Sequence, residues 1–251
     1  MWVRAPLLLL LLFACAAPAP AADLTIAAAA NLKHALDELV PAFVEEQPAV
    51  RVRVSYGASG SLHAKLLQRA PYDLFLSADT LYPRRLAETG LALDDGPFVY
   101  ATGRLALWLP AGSPLDARDG LEILLDPRVK RVALANPRHA PYGAAAMAAL
   151  EAADLRERVA AKLVFGDSVG QAAQFTQAGA AQAGLIALSL ARSPPLAAGH
   201  HYVLPATLHP PLEQGGVILR WARDPAAARA FREFLRGDRA TAILARYGYD
   251  R

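Results

Sequence analysis

The chain has 251 residues, 54% of them hydrophobic and 20% charged, with a formal net charge of +3. That apolar share supports one large domain or two lobes and excludes a disordered chain. Its Lys and Arg residues are scattered without a basic run, which argues against a nucleic-acid partner, and a single cysteine excludes an internal disulfide framework.

The N-terminus reads as a targeting segment. Arg4 supplies the positive start, Leu7 to Phe13 the apolar centre, and Ala14 to Ala22 a small-residue region with an A-x-A site at Ala19-Pro20-Ala21. Residues 1–22 are expected to be a signal peptide removed on export from the cytoplasm, because the apolar run is too short to span a bilayer. Cys15 lies inside this segment, after Leu12-Phe13-Ala14, so lipoprotein anchoring there is the alternative to soluble export. No later stretch is long and apolar enough for a membrane helix.

Leu24 to Ala30 reads as a buried strand, and Asn31 stands where a helix N-cap belongs. The helix behind it carries Leu32, Leu36, Leu39, Val40 and Phe43 on one face. Asn31 either caps that helix or donates its amide hydrogens to something outside it. Val50, Val52 and Val54 alternate as a second strand, and Ser55 to Ser61 form a Gly/Ser turn into a helix through Leu62, Leu66 and Leu67. Two readings of that turn stand. Ser59 or Ser61 is an ordinary N-cap, or the glycines and hydroxyls open an anion cradle at the positive end of the helix dipole. Gly57-x-Ser59 followed by Gly60-Ser61 also approaches the G-x-S-x-G nucleophile elbow, with the last glycine displaced by one position.

Tyr72 to Asp79 is a third strand, with Ser77 and Asp79 at its polar end as caps for a helix from Leu81 to Glu88. Asp73 and Asp79 do not read as paired catalytic acids; solvated or capping roles are expected. Phe98 to Leu109 is extended and apolar and reads as a crossing into a second lobe. There, Leu121 to Leu125 is a short helix and Arg131 to Ala135 a strand. The loop Asn136 to Gly143 leads to a helix from Ala144 to Ala153, with Tyr142 just ahead of it. Ala161 to Phe165 is a strand, and Gly166 to Gln171 a polar turn capped by Asp167 or Ser168. Gly184 to Ser189 is a strand. Gly199-His200-His201 is expected as loop without further ligands at metal spacing. After Pro205 the chain returns to the first lobe, where Gly215 to Leu219 is a strand. Asp224-Pro225 opens one helix, and Arg239 to Tyr247 forms the last.

Strands alternating with helices give an α/β fold with mostly parallel sheets flanked by helices. The lobe limits expected are 23–102 with 206–251 for lobe I and 103–205 for lobe II. A ligand cleft between two such lobes would bring the polar helix openings of both halves together.

The motifs at these openings resemble the periplasmic molybdate-binding proteins that serve ABC transporters, over nearly the whole mature chain. Ala28-Ala29-Ala30-Asn31-Leu32 is similar to the family's first ligand loop, and Tyr56-Gly57-Ala58-Ser59-Gly60-Ser61-Leu62 to its second. Asn136-Pro137-Arg138-His139-Ala140-Pro141-Tyr142-Gly143 is similar to the third, Asp167-Ser168-Val169 to the fourth, and Arg246-Tyr247-Gly248-Tyr249 to the usual ending. The resemblance implies a two-lobed periplasmic-binding-protein fold that closes on one tetrahedral oxyanion by hinge motion. It implies Asn31, Ser59, Tyr142 and Val169 as molybdate or tungstate contacts, Val169 through its backbone N–H, with Ala30 and Ser189 as additional candidates. Some members carry a tyrosine ligand where this chain has Ala187, which leaves the donor number open. The resemblance also implies handover to a membrane permease by a monomer without enzymatic activity, cofactor or protein-ligated metal.

The chemistry of the four loops agrees with an anion that carries no proton, since they offer donors and place no carboxylate at a contact position. Sulfate fits the same description and stays open as an alternative ligand. The remaining alternative is a secreted serine hydrolase using Ser59, with Asp167 and His209 following in chain order.

Overall fold

The computed structural model describes residues 22–94 and 96–251. The expected leader and Cys15 lie outside the described residues, except Ala22, which opens the first strand. Strand β1 (Ala22–Ala29) runs through a 3-10 turn, Ala30–Leu32, into α1 (Lys33–Glu46). Next come β2 (Val50–Gly57), α2 (Ser59–Leu67), β3 (Leu74–Leu76), α3 (Leu81–Glu88) and β4 (Phe98–Gly103). The second half holds β5 (Leu105–Leu109), β6 (Val132–Ala135), α4 (Pro141–Ala152), α5 (Arg156–Val159), β7 (Leu163–Gly166) and α6 (Val169–Gln177). It ends with β8 (Ala183–Ala187), α7 (Leu188–Ala191) and β9 (His200–Val203). The chain then closes with β10 (Leu212–Ile218), α8 (Pro225–Arg236) and α9 (Asp238–Arg246).

Two five-stranded sheets result, ordered β2-β1-β3-β10-β4 and β7-β6-β8-β5-β9. In the first, β1 pairs in parallel with β2 and β3, while β10 is antiparallel to β3 and β4. In the second, β6 pairs in parallel with β7 and β8, while β5 is antiparallel to β8 and β9. Each sheet therefore has one reversed strand. Both β5 and β10 enter their sheet directly from the other one, without a crossover helix, and so start at the end where their neighbours finish.

The alternation along β1 explains how the first sheet is covered. Leu24, Ile26 and Ala28 face one cluster with Leu36, Leu39 and Phe43 of α1 and Phe231 and Phe234 of α8. Ala27 faces the other side, with Leu62 and Leu66 of α2, Phe75 of β3 and Leu86 of α3. In α8 the buried positions Ala227, Ala228, Phe231, Phe234 and Leu235 follow the helical period, so one stripe meets the sheet. Phe43 packs edge-on to Phe231 with ring centroids 4.9 Å apart. The second sheet is apolar throughout β5, β6 and β8, as strands covered on both faces should be.

Several local expectations change. His200-His201 is the start of an edge strand paired to Trp108 and Leu109, not loop; its exposed side chains hide the period. Ser189 lies in α7 rather than at a strand end. Asp73 is neither solvated nor a cap. It is buried, and its carboxylate accepts from Thr25 N and Thr25 Oγ1, both at 2.6 Å, and from Arg223 N at 2.8 Å. Asp79 does cap α3, accepting from Tyr82 N at 3.2 Å and from Ser77 Oγ at 2.9 Å.

Candidate functional site

Register sets the site. Ala29 is paired with Gly57 at the ends of β1 and β2, and Ala135 with Gly166 at the ends of β6 and β7. Neighbouring parallel strands therefore finish level, and each launches a helix from the same edge. Two helix openings come from the first sheet and two from the second. They surround one small hollow. Ala30, Asn31, Ser59, Tyr142 and Val169 all line it, joined by Gly57, Ala58 and Ala78 and by Ala140 and Pro141. Ser189 does not line it; its Oγ donates to Asn31 O at 2.8 Å instead.

The first N–H groups of a helix have no carbonyl partner within it. Ser59 is the first residue of α2, behind Ala58 rather than as the N-cap, and neither Ser59 nor Ser61 caps α2. Ser59 Oγ accepts from Ala78 N at 3.0 Å, which leaves its hydroxyl hydrogen free to donate. α4 starts three residues earlier than expected, at Pro141, which lacks an N–H and has its φ preset. Tyr142 thus falls in the first turn of α4. At α6 the cap is Ser168, whose Oγ accepts from Gln171 N at 3.3 Å and whose carbonyl accepts from Ala172 N at 3.0 Å. Val169 N is left over by position. Asp167 is not the cap: its own N–H donates to Gln171 Oε1 at 2.6 Å, and it is absent from the lining.

Asn31 differs from expectation in detail. It is not an N-cap, and its two amide hydrogens go to Gln214 Oε1 at 2.8 Å and Tyr249 Oη at 2.7 Å. Its side chain therefore braces the 3-10 turn from behind, and its backbone N–H, early in that turn, is the donor without an internal acceptor. Asn31 Oδ1 and the Tyr142 hydroxyl are both buried without a hydrogen-bond partner. Burial, followed by the neighbouring Tyr249 and Tyr100, pushes the Tyr142 phenol well above its usual range, so it remains a proton donor. No Lys, Arg, His, Asp or Glu lines the hollow. Residues that carry neutral donors therefore line one small space, which suits an anion that brings no proton.

The two halves touch around it. Gly60 N donates to His139 O at 2.8 Å across the cleft, and His139 Nε2 lies 3.0 Å from Asp167 O. The hydrolase reading finds no support in this geometry. Among the described residues, Ser59 Oγ has no histidine or carboxylate partner, and His209 Nδ1 sits on Pro210 O at 2.8 Å. Likewise no cluster of metal-ligating side chains occurs among the described residues.

Gln214 and Tyr249 escaped the sequence reading. They bond to Asn31 from 183 and 218 residues away, and no local period marks them. The Arg246-to-Tyr249 ending was the one available signal.

Comparison with known proteins gives a consistent picture. The profile of the bacterial extracellular solute-binding protein family matches residues 24–250. The chain is 36% identical over 239 residues to the molybdate-binding protein ModA of Azotobacter vinelandii, covering 95% of this chain and 93% of that protein. It is 34% identical over 241 residues to the molybdate-binding protein ModA of Rhodobacter capsulatus, with 96% and 93% covered. The solved structure of the Azotobacter vinelandii periplasmic molybdate-binding protein superposes with a TM-score of 0.83 at 33% identity, over 90% of this chain and 98% of that one.

Proposed function

Because this chain belongs to the bacterial extracellular solute-binding protein family and to its molybdate-binding members, we propose that it captures molybdate, and tungstate with it, between its two lobes and delivers the anion to an ABC permease. It is a substrate-binding transport protein and not an enzyme. The reading extends to export by the N-terminal segment into the periplasm and to action as a monomer.

The observation that carries the ligand assignment is the shared hollow of Asn31, Ser59, Tyr142 and Val169, lined without any charged side chain. Ser59 contributes its hydroxyl, and Ser59, Tyr142, Val169 and Asn31 contribute backbone N–H groups. The unpartnered Tyr142 hydroxyl lies buried beside them. A dianion desolvated there is held by several charge-assisted bonds, each contributing about 1.5–3 kcal/mol. A partly protonated anion such as phosphate finds no carboxylate to accept its hydrogen. Sulfate meets the same donors, so size separates it from molybdate.

Calorimetric titration of the mature chain with molybdate, then with tungstate and sulfate in competition, tests the proposal. Saturable micromolar or tighter binding of molybdate, unmoved by excess sulfate, is expected; absence of heat at these concentrations removes the assignment. Trp108 and Trp221 provide a fluorescence readout, since both are held by hydrogen bonds to backbone carbonyls.

Two further outcomes follow from the donor set. Ser59→Ala should weaken molybdate binding about 10- to 100-fold, because a charge-assisted bond is lost. It should also lower stability by about 1 kcal/mol, since Ala78 N–H loses its acceptor. Affinity should stay level between about pH 6 and 8, because no group that titrates there lines the hollow. A slope of one proton across that interval would contradict the donor-only description.

A further inference from the structure

The C-terminal segment Gly248 to Asp250 lies across the crossing between the sheets. Asp250 exchanges backbone hydrogen bonds with Thr102 in both directions, at 2.7 and 2.8 Å. Its carboxylate accepts from Arg104 Nε at 2.6 Å. Thr102 and Arg104 flank Gly103, where the chain leaves the first sheet for the second. Gly248 packs so closely on α7 that a Cβ there would come within 2.6 Å of Leu188 Cδ2. Leu188 N in turn donates to Arg104 O at 2.9 Å.

Between these anchors Tyr249, 4% exposed, turns its hydroxyl inward. That oxygen accepts from Asn31 Nδ2 at 2.7 Å and lies 3.1 Å from both Asn31 O and Ser189 Oγ. One hydroxyl thus meets the side chain and backbone of the first ligand turn and a helix that belongs to the other sheet. Gln214 holds the second amide hydrogen. Its Nε2 donates to Leu212 O at 2.6 Å and Ala78 O at 3.2 Å, which leaves Oε1 as the atom facing Asn31. Reversing the Gln214 amide would aim its oxygen at two carbonyls, so the orientation of Asn31 is fixed from both sides. Tyr249 itself does not line the hollow.

We propose that Tyr249 is a positioning residue for the oxyanion site. The C-terminal segment is a strap that holds the 30–32 turn in its binding geometry and ties that geometry to the angle between the lobes. This rests on the proposed contact between the Asn31 turn and the anion. The strap acts through Asn31 because the Tyr249 hydroxyl reaches that residue and α7 but not the ligand space.

Tyr249→Phe removes the hydroxyl and keeps the buried ring. Molybdate affinity measured by calorimetry should fall about tenfold. In an Asn31→Ala background the same change should cost less than about twofold, because the side chain through which Tyr249 braces the turn is already gone. In the ligand-free protein, hydrogen exchange at residues 30–32 and 188–190 should quicken, while α4 and β6 stay protected. A general loss of stability would instead speed exchange everywhere and add equally in both backgrounds. Equal losses with and without Asn31, or unchanged exchange at those two segments, overturns the proposal. If the unaltered chain binds no molybdate, the reading of function fails, and the exchange comparison still decides whether the strap exists.

Discussion

Gly60→Ala should reduce molybdate affinity about 100-fold while leaving the fold intact. A Cβ at Gly60 would lie 2.8 Å from His139 O, 2.9 Å from His139 Cβ and 2.5 Å from the Tyr82 hydroxyl. The Tyr82 ring end can turn aside, but the His139 carbonyl is backbone of the opposite lobe. The lobes must therefore stand apart, and the bond from Gly60 N to His139 O is lost with the approach. Tyr142 follows His139 by three residues at the head of α4, so its donors withdraw from those of Ser59. A small tetrahedral anion has no slack to bridge a wider gap, and apparent affinity falls with the fraction of molecules able to close. Within its own lobe the change is mild, because Gly60 lies in the first turn of α2, where alanine is a good helix former. Calorimetry and a melting curve on the same sample separate the two effects. An unchanged dissociation constant would show that the lobes do not meet at Gly60 when the anion is bound.

Asp73→Ala should lower stability by about 2–4 kcal/mol. The carboxylate joins the start of β3 to β1 through Thr25 and to the segment after β10 through Arg223. Removing it leaves the N–H groups of Thr25 and Arg223 without their acceptor. Burial alone would raise the Asp73 pKa, but the bonds from Thr25 and Arg223 outweigh it and hold the group below the ordinary carboxylate range. A depressed folded-state pKa stabilises the fold at pH values above the unfolded carboxylate value of about 4. That contribution disappears as pH falls through the lower folded value. Denaturant melts of the unaltered and Asp73→Ala proteins should therefore differ fully at pH 7 and converge in acid. A constant difference down to pH 2, which is about two units below the ordinary carboxylate pKa, would assign the loss to packing instead.

The elements were legible where apolar residues repeat. Val50, Val52 and Val54 announce β2, and the stripe through Phe231 and Phe234 announces α8. The openings at Asn31, Ser59, Tyr142 and Val169 were legible too, because Gly, Ser, Asn and Pro cluster where strand gives way to helix. That the four meet in one hollow is a matter of register between Ala29 and Gly57 and between Ala135 and Gly166, and no local pattern encodes it. Ser59 shows the limit. Its type and place fit an N-cap, yet its oxygen serves Ala78 N from another strand's end. Gln214 is buried in a glycine-rich strand, where a polar side chain gives no periodic signal. Only the fold shows that it fixes the Asn31 amide.

The position of β10 has a bearing on the order in which the molecule assembles. β4 hydrogen-bonds to β10, and β10 alone separates it from β3. As the chain emerges from its N-terminus, residues 105–203 carry every strand of the second sheet before Leu212 appears. The first sheet stays split between β3 and β4 until Leu212–Ile218 fills the gap between them. The later-finished half carries Asn31 and Ser59, so the shared hollow is completed only with the last-made part of the polypeptide.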